Sequence, residues 1–187
     1  MKLTLTAALA GLATILAISA ADLGSSPMTM VSTEPKAGPG DLDFLVGHWT
    51  VTNRRLKHRF TGSMEWDEFP STVKTETILD GMGNLEQMTF STRGTSGISL
   101  SLYDRERKHW SQYWAGSQDG VLLPAVVGRF SGDTAHLYGD DFDNGKPVKI
   151  HHTWTKISPS SVRWEQAFSA DNGQTWETNW IMDWTRV

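Results

Sequence analysis

Short runs of alternating apolar and polar residues recur along most of the chain. One run spans residues 97–103, and others lie at residues 148–155, 162–168 and 176–184. Alternation with a period of two places the apolar side chains on one face of a β-strand. No segment after Gly47 shows a sustained helical period. The pattern predicts an all-β domain of about nine or ten short strands.

Turn signals separate these runs. Asn-Gly pairs at residues 144–145 and 172–173 are typical of tight hairpins, because both residue types tolerate positive φ. Before the first strand, residues 41–47 predict one short helical turn, with Asp41 as its N-cap and Gly47 as its stop. Hairpin-linked strands hide their edges by packing as two sheets or by closing on themselves. We favour closure into a single antiparallel barrel.

The first residues differ in composition from the rest. Lys2 precedes an apolar stretch from Leu3 to Ile18, and small residues follow it, which is the pattern of a secretory signal peptide. The stretch is shorter than the roughly 20 apolar residues of a membrane span. We expect a signal peptide at residues 1–21, no stable membrane anchor after its cleavage, and export to the periplasm or the extracellular space.

The segment after this leader is rich in Ser, Thr, Pro and Gly. We interpret residues 22–40 as a flexible linker, which leaves residues 41–187 for the barrel domain. The chain contains no cysteine, so thiolate catalysis and thiolate metal sites are excluded. An exported domain without disulfides depends on an ordinary hydrophobic core.

The charge pattern argues against a nucleic-acid partner. The formal net charge is −4, and loss of Lys2 with the leader makes it more negative. The basic cluster at residues 53–59 is followed at once by acidic Glu65, Asp67 and Glu68. Phosphate binding needs a clustered basic surface, whereas this pattern favours cross-strand salt bridges.

Nine tryptophans are the strongest compositional feature. Core packing explains part of this number, but rings this large also suit a cavity that stacks on an apolar or aromatic ligand. Polar residues of the same strand parity would then face the ligand. The predicted ligand-binding residues are Trp49, Trp66, Trp110, Gln112, Trp114, His152, Trp154, Gln166, Thr178 and Trp180.

No catalytic motif stands out. His152 could serve as a general base oriented by Asp140 or Asp141, and Glu165 beside Arg163 could serve as an acid. On the alternative that the barrel is an isomerase, lyase or hydrolase, His152 and Glu165 are the candidate catalytic residues.

Metal and cofactor signals are absent from the sequence pattern. His151 and His152 are adjacent on one strand and therefore point to opposite faces. The acidic loop at residues 140–143 lacks the spacing of a calcium loop, and no Gly-rich phosphate loop precedes a helix. We expect no metal and no cofactor.

Gly47-His48-Trp49, after a helical turn and at the opening of the first strand, is similar to the Gly-x-Trp start of lipocalins and their fatty-acid-binding relatives. Over residues 41–186 the chain resembles a bacterial family of secreted lipocalin-like domains of unknown function. The resemblance implies a lipocalin-like barrel for a small ligand and supplies no catalytic residues. It is carried by residues 43–49, 100–104, 110–114, 138–140, 163–169 and 176–180.

Two further resemblances are local. Nitrobindin-like haem barrels also begin Leu-x-Gly-x-Trp and ligate iron with a histidine late in the chain. Residues 161–187 contain no histidine, so only His151 or His152 could replace it, and we expect no haem. Residues 169–176 resemble the Asp-box of sialidases and other β-propellers. Because only one copy is present, we interpret it as a turn in which Asp171 binds backbone amides and Trp176 packs beneath.

Three functions therefore follow from the sequence. The first is an exported barrel that binds a small apolar or aromatic molecule in a Trp-lined cavity. The second is an enzyme on the same barrel that uses His152 or Glu165 as acid or base. The third is a structural or interaction protein.

Overall fold

The computed structural model describes residues 38–187, which form ten β-strands and three short 3-10 turns. The predicted signal peptide, residues 1–21, and the predicted linker up to residue 37 lie outside the described residues. The 3-10 turns are Asp43–Leu45, Leu79–Gly81 and Ser91–Arg93. The strands are β1 (Gly47–Leu56), β2 (Trp66–Ile78), β3 (Gly83–Phe90), β4 (Thr95–Asp104), β5 (His109–Gly116), β6 (Val126–Ser131), β7 (Thr134–Asp143), β8 (Lys146–Ser158), β9 (Ser161–Ser169) and β10 (Glu177–Arg186).

The strands form one closed antiparallel barrel. Each strand pairs with the next along the chain, and β1 also pairs with β10. The closing register runs from Trp49 opposite Arg186 to Arg55 opposite Trp180. Closure joins the first and last strands, which would otherwise present unpaired backbone groups. The predicted all-β antiparallel barrel is confirmed, with ten strands in residues 38–187. No helix in this part of the chain is long and apolar enough to cross a membrane.

One end of the barrel is closed by the N-terminal turn. Leu45 is fully buried there, and its carbonyl oxygen accepts a 2.7 Å hydrogen bond from the Trp49 indole nitrogen. The Trp49 and Trp184 ring centroids lie 6.0 Å apart in an edge-to-face arrangement. The predicted helical turn is thus present as Asp43–Leu45, and it plugs the barrel.

The expected N-cap role of Asp41 is wrong. Leu42 precedes the turn, and no side chain caps it. The Asp41 carboxylate instead accepts the backbone N–H of Gly38 at 2.8 Å and the Trp110 indole N–H at 3.3 Å. Asp41 therefore ties the entering chain to the plugged end.

The two Asn-Gly pairs serve different connections. Asn144 and Gly145 both have positive φ, 50° and 77°, and form the two-residue turn between β7 and β8, as predicted. The second pair lies in a longer connection, residues 170–176. There the Asp171 carboxylate accepts the backbone N–H groups of Gln174 and Thr175, and the Thr175 hydroxyl is the main cause of its lowered pKa.

The barrel wall is incomplete on one side. β6 pairs with β5 at only three positions, Trp110, Ser111 and Gln112. The rest of β5 faces the loop of residues 117–125, where the backbone N–H of Leu123 donates to the Trp114 carbonyl oxygen at 2.8 Å. This loop, rather than a strand, fills the wall between the ends of β5 and β7.

Candidate functional site

A cavity of about 120 Å³ lies inside the barrel, beside the wall that the 117–125 loop completes. Six of the ten predicted ligand-binding residues line it, because the alternation of their strands points them inward. Indoles, methionines and aliphatic side chains form most of the remaining wall, including Trp164, Trp184 and Ile150. The six predicted residues at the cavity are Gln112, Trp114, His152, Trp154, Gln166 and Trp180.

Two other predicted contacts are buried but lie away from the cavity. Trp49 and Trp110 are each 1% exposed. Trp49 packs on Trp184 at the plugged end, and Trp110 binds Asp41 and packs on Tyr103. Both indoles stabilise the plugged end, and neither lines the cavity.

The remaining two lie on the outer surface of the barrel. Trp66 is the first residue of β2 and lies on the same face as the exposed Glu68. Phe69 and Ser71 occupy the inward positions of that strand. Thr178 is exposed, and the expectation that it faces inward is wrong. A bulge between Thr178 and Trp180 shifts the register of β10 against β9, so Asn179 takes the inward place and is 2% exposed.

The inward polar side chains are linked in a row across the barrel. Both ring nitrogens of His152 lie 3.3 Å from glutamine side-chain oxygens, Nδ1 from Gln112 and Nε2 from Gln166. At the two ends of the row, the Gln112 amide lies 3.3 Å from the Ser101 hydroxyl, and the Gln166 amide donates to Asn179 at 2.9 Å. The sequence pattern identified three members of this row, and the bulge supplies Asn179.

His152 is neutral at neutral pH. Burial lowers its pKa to about 4, and the hydrogen bond to Gln166 only partly opposes this effect. A neutral imidazole has one N–H and one lone pair. The side-chain oxygen and nitrogen of Gln112 can be exchanged by turning its amide group. The Gln112 nitrogen then donates to Nδ1 of His152, and the Ser101 hydroxyl donates to the Gln112 oxygen. On the other side of the ring, Nε2–H donates to the Gln166 oxygen. Both ring nitrogens are then occupied by glutamines.

The other groups considered for catalysis do not meet His152. Glu165 has outward parity on β9 and does not line the cavity. Its neighbour Arg163 donates to Asp183 at 2.7 Å, as expected for the outer face. Asp140 pairs with Lys149 at 2.5 Å, and the ring nitrogens of His152 contact glutamines rather than aspartates.

Glu86 is a cavity residue that the sequence pattern did not single out. It lies on β3, is 0% exposed, and lines the cavity. Neither carboxyl oxygen has a hydrogen-bond partner among residues 38–187. Burial alone raises its pKa to about 8. The signal was its parity with Met88 and Phe90, both of which face inward.

Other polar atoms of the cavity wall also lack partners within the described part of the chain. These are the Ser99 hydroxyl, directly across the strand pair from Glu86, and the indole nitrogens of Trp154 and Trp184. Buried polar groups in folded proteins are nearly always hydrogen-bonded. The residues that line the cavity therefore carry one carboxyl, one hydroxyl and two indole donors that lack a partner within the described chain.

The rim of the cavity is apolar and acidic. Leu123 and Pro124 of the 117–125 loop and Asp140 and Asp141 of β7 line it. Burial raises the pKa of Asp141, against the effect of the Phe142 backbone N–H. The loop also exposes Val121 and Leu122, each more than half accessible. Entry from this side passes short apolar side chains and carboxylates.

The outer face carries a separate ring cluster on β7 and β8. His136 Nδ1 lies 3.0 Å from His151 Nε2, and the Tyr138 ring stacks on His151 with centroids 4.3 Å apart. Trp176 packs edge-on against His151. Within residues 38–187, no group of three or more His, Asp or Glu side chains is arranged to hold a metal ion.

Comparisons with known proteins give little further identity. No protein-family model matches the chain, and no curated protein matches it. Among solved structures it is similar to a protein of unknown function from the DUF3598 family of Nostoc punctiforme, with 13% identity and a TM-score of 0.40. The likeness covers 78% of this chain and 48% of the other, so this chain spans about half the length of that protein.

Proposed function

We propose that this protein is an exported, lipocalin-like barrel that binds a small, partly apolar molecule in its interior cavity. The observation that carries the proposal is the cavity itself, where several indole rings meet buried polar atoms that have no partner among residues 38–187. Ligand sites combine a mostly apolar lining with a few placed polar groups. A barrel that served only as a scaffold would gain stability from apolar packing at these positions.

The cavity volume limits the ligand. A cavity of about 150 Å³ accepts benzene, so a cavity of about 120 Å³ suits a compact molecule comparable in size to benzene. Drug-sized ligands and cofactors occupy pockets of about 300–1,000 Å³. The volume therefore favours small ligands over haem and long-chain lipids.

The placement of His152 favours binding over catalysis. A general base needs a free lone pair directed at the substrate, whereas both ring nitrogens of His152 lie 3.3 Å from glutamine side chains. The enzyme alternative requires one glutamine to release the ring. The proposed export rests on the leader pattern at residues 1–21.

Titration of the intrinsic tryptophan fluorescence tests the proposal. The full chain is expressed in an export-competent bacterium, and the mass of the purified product reports whether the leader was removed. Small aromatic, alicyclic, amine and alcohol compounds are then added singly, with a fatty acid and haemin as oversized controls. We expect saturable changes in emission from one small class. If no compound changes the emission, the binding function is wrong, and a structural role replaces it.

The variant His152→Ala separates binding from catalysis. For a binder, loss of one neutral hydrogen bond changes ligand affinity by about 1 kcal/mol. For an enzyme that uses His152 as its base, turnover of the bound compound falls by about two to four orders of magnitude. Glu165→Ala is the matched control, because Glu165 lies on the outer face and should change neither quantity.

A further inference from the structure

The buried carboxyl of Glu86 identifies the chemistry of the ligand more closely than the indole rings do. We propose that the cavity binds a small organic ammonium ion that also carries an oxygen acceptor, with Glu86 as its counter-ion. This inference rests on the proposed binding function and adds the charge and the polar pattern of the ligand.

The first argument is the lack of any compensating charge at Glu86. The carboxyl is fully buried, and the atoms of residues 38–187 offer neither oxygen a hydrogen bond. Its cross-strand neighbours on the inner face are Thr75 and Ser99, which carry no charge. Carboxyl groups buried without a partner are rare and costly. A cation in the adjoining cavity would supply the missing partner and allow Glu86 to release its proton to solvent.

The second argument is the charge of the cavity lining. Glu86, Asp140 and Asp141 line it, and no lysine or arginine within residues 38–187 does so. Arg55 lies 4.8 Å from the Trp180 ring centroid and Arg59 pairs with Asp143, and neither guanidinium lines the cavity. All the acidic or basic side chains of the lining other than His152 are therefore carboxyls, so the lining favours a cationic ligand over an anionic one.

The third argument is the aromatic wall. Trp114, Trp154, Trp164, Trp180 and Trp184 all line the cavity. Indole faces attract ammonium groups, and aromatic cages are a recurring way to hold methylated ammonium ions. Trp180 already interacts with a cation on one side, the Arg55 guanidinium.

The indole nitrogens specify the other end of the ligand. The Nε1–H groups of Trp154 and Trp184 are buried donors without an acceptor in the described chain. Since indole N–H groups only donate, the ligand must bring an acceptor oxygen. A small ammonium compound that also carries a hydroxyl or carbonyl oxygen would offer a partner both to Glu86 and to the indole nitrogens.

Choline and its neutral isostere 3,3-dimethylbutan-1-ol provide a matched pair of probes, because they differ only in a quaternary nitrogen replaced by carbon. Calorimetry and tryptophan fluorescence on the full chain, in buffers free of organic amines, give both affinities. We expect choline to bind at least about 10-fold more tightly, as a charged partner in a desolvated aromatic site requires.

The variant Glu86→Gln removes the charge and keeps the shape. We expect choline affinity to fall by about 10- to 100-fold, while the affinity for the neutral alcohol stays the same. Glu76→Gln is the control, because Glu76 is an exposed carboxylate on the neighbouring strand that pairs with Lys74. Should Glu86→Gln not fold, the wild-type chain still gives an answer: choline binding near pH 7 releases up to about one proton, which calorimetry in two buffers of different ionisation enthalpy detects.

The outcomes separate this inference from the proposed function. Equal binding of both probes, or no effect of Glu86→Gln on choline affinity, overturns the ammonium assignment. If neither probe binds but a neutral compound of the panel does, the cavity binds ligands and only the assignment fails. If nothing binds, the proposed function fails as well.

Discussion

Arg186 joins the two ends of the folded domain. Its guanidinium lies 4.2 Å from the Trp49 ring centroid and donates to the carbonyl oxygens of Phe44 and Val46, beside the N-terminal turn. Its Nε also donates to the Pro159 carbonyl oxygen at 3.0 Å. One planar side chain thus satisfies three backbone acceptors and covers an indole, which lysine could not reproduce.

We expect Arg186→Met to destabilise the protein by about 2–4 kcal/mol, because it leaves several carbonyl groups unsatisfied and removes the stacking on Trp49. Urea denaturation measures the change. Arg163→Met is the control, since the Arg163 side chain is 41% exposed and pairs with the 36% exposed Asp183, a kind of ion pair that contributes about 0–1 kcal/mol. Similar losses for the two variants would contradict the special role of Arg186.

At the scale of the element, the bulge in β10 decides which residues face the cavity. It places Asn179 inward, where its Oδ1 accepts from Gln166 and so ends the polar row that includes His152. Thr178, one residue earlier, is exposed. Bulges often redirect a side chain toward a site, and this one completes the hydrogen bonding of Gln166.

A pair of alanine variants tests the bulge. Asn179→Ala should cost about 1–3 kcal/mol in unfolding free energy, because Gln166 loses a buried partner. Thr178→Ala should change it by less than about 0.5 kcal/mol, as is usual at exposed sites. Thermal and urea denaturation give both values. If Thr178→Ala is the more damaging variant, the register of β10 is one residue away from that described here.

The strands also explain how much could be predicted from the sequence. The barrel, its closure and the inward faces of β8 and β9 follow from alternation, which is uninterrupted there. The bulge in β10 has no comparable signal in the sequence, so the prediction that Thr178 faces inward is wrong. On β4, alternation does not say which face is inside: Ser99 and Ser101 are buried, while Ile98 is 39% exposed.

Small inward residues make room for the cavity and its rings. A Cβ atom added to Gly97 would lie 2.3 Å from the Trp114 ring, so this glycine is what lets the indole reach the wall. Six predicted ligand contacts lie at the cavity as expected. Their position could be predicted because each lies on the same face of its strand as apolar residues. The parity of Glu86 with Met88 and Phe90 also indicates an inward position, but its residue type argues against one, because a glutamate on a strand is ordinarily taken for a surface residue.

For the whole molecule, the barrel interior has a polar belt between the plugged end and the loop-covered wall. Asn53, Asn84, Glu86, Ser101 and Gln112 all belong to it and are buried. Two titratable groups of the barrel interior, His152 and Glu86, have opposite effects on stability. His152 stays neutral down to a pKa of about 4, and Glu86 keeps its proton up to a pKa of about 8.

The sign of each effect follows from proton uptake. Between pH 4 and 6.5 the unfolded chain binds the extra proton at His152, so stability rises with pH. Between pH 4.5 and 8 the folded protein holds the extra proton at Glu86, so stability falls with pH. The two effects oppose each other from pH 4.5 to 6.5, and only that of Glu86 acts above it. The cross-strand neighbours of Glu86, Thr75 and Ser99, carry no charge. For His152, the neighbouring His151 contributes a small electrostatic lowering of the pKa.

We therefore expect the unfolding free energy to be nearly constant from pH 4.5 to 6.5 and to fall by about 2 kcal/mol from pH 6.5 to 8. Glu86→Gln should abolish the fall above pH 6.5, because glutamine does not titrate. His152→Gln should extend the fall down to about pH 4.5, since the opposing group is gone. Urea denaturation at a series of pH values, in amine-free buffers, measures all three profiles. Parallel curves for the wild type and Glu86→Gln above pH 6.5 would mean that Glu86 is already ionised in the folded protein, in which case a cation must accompany it.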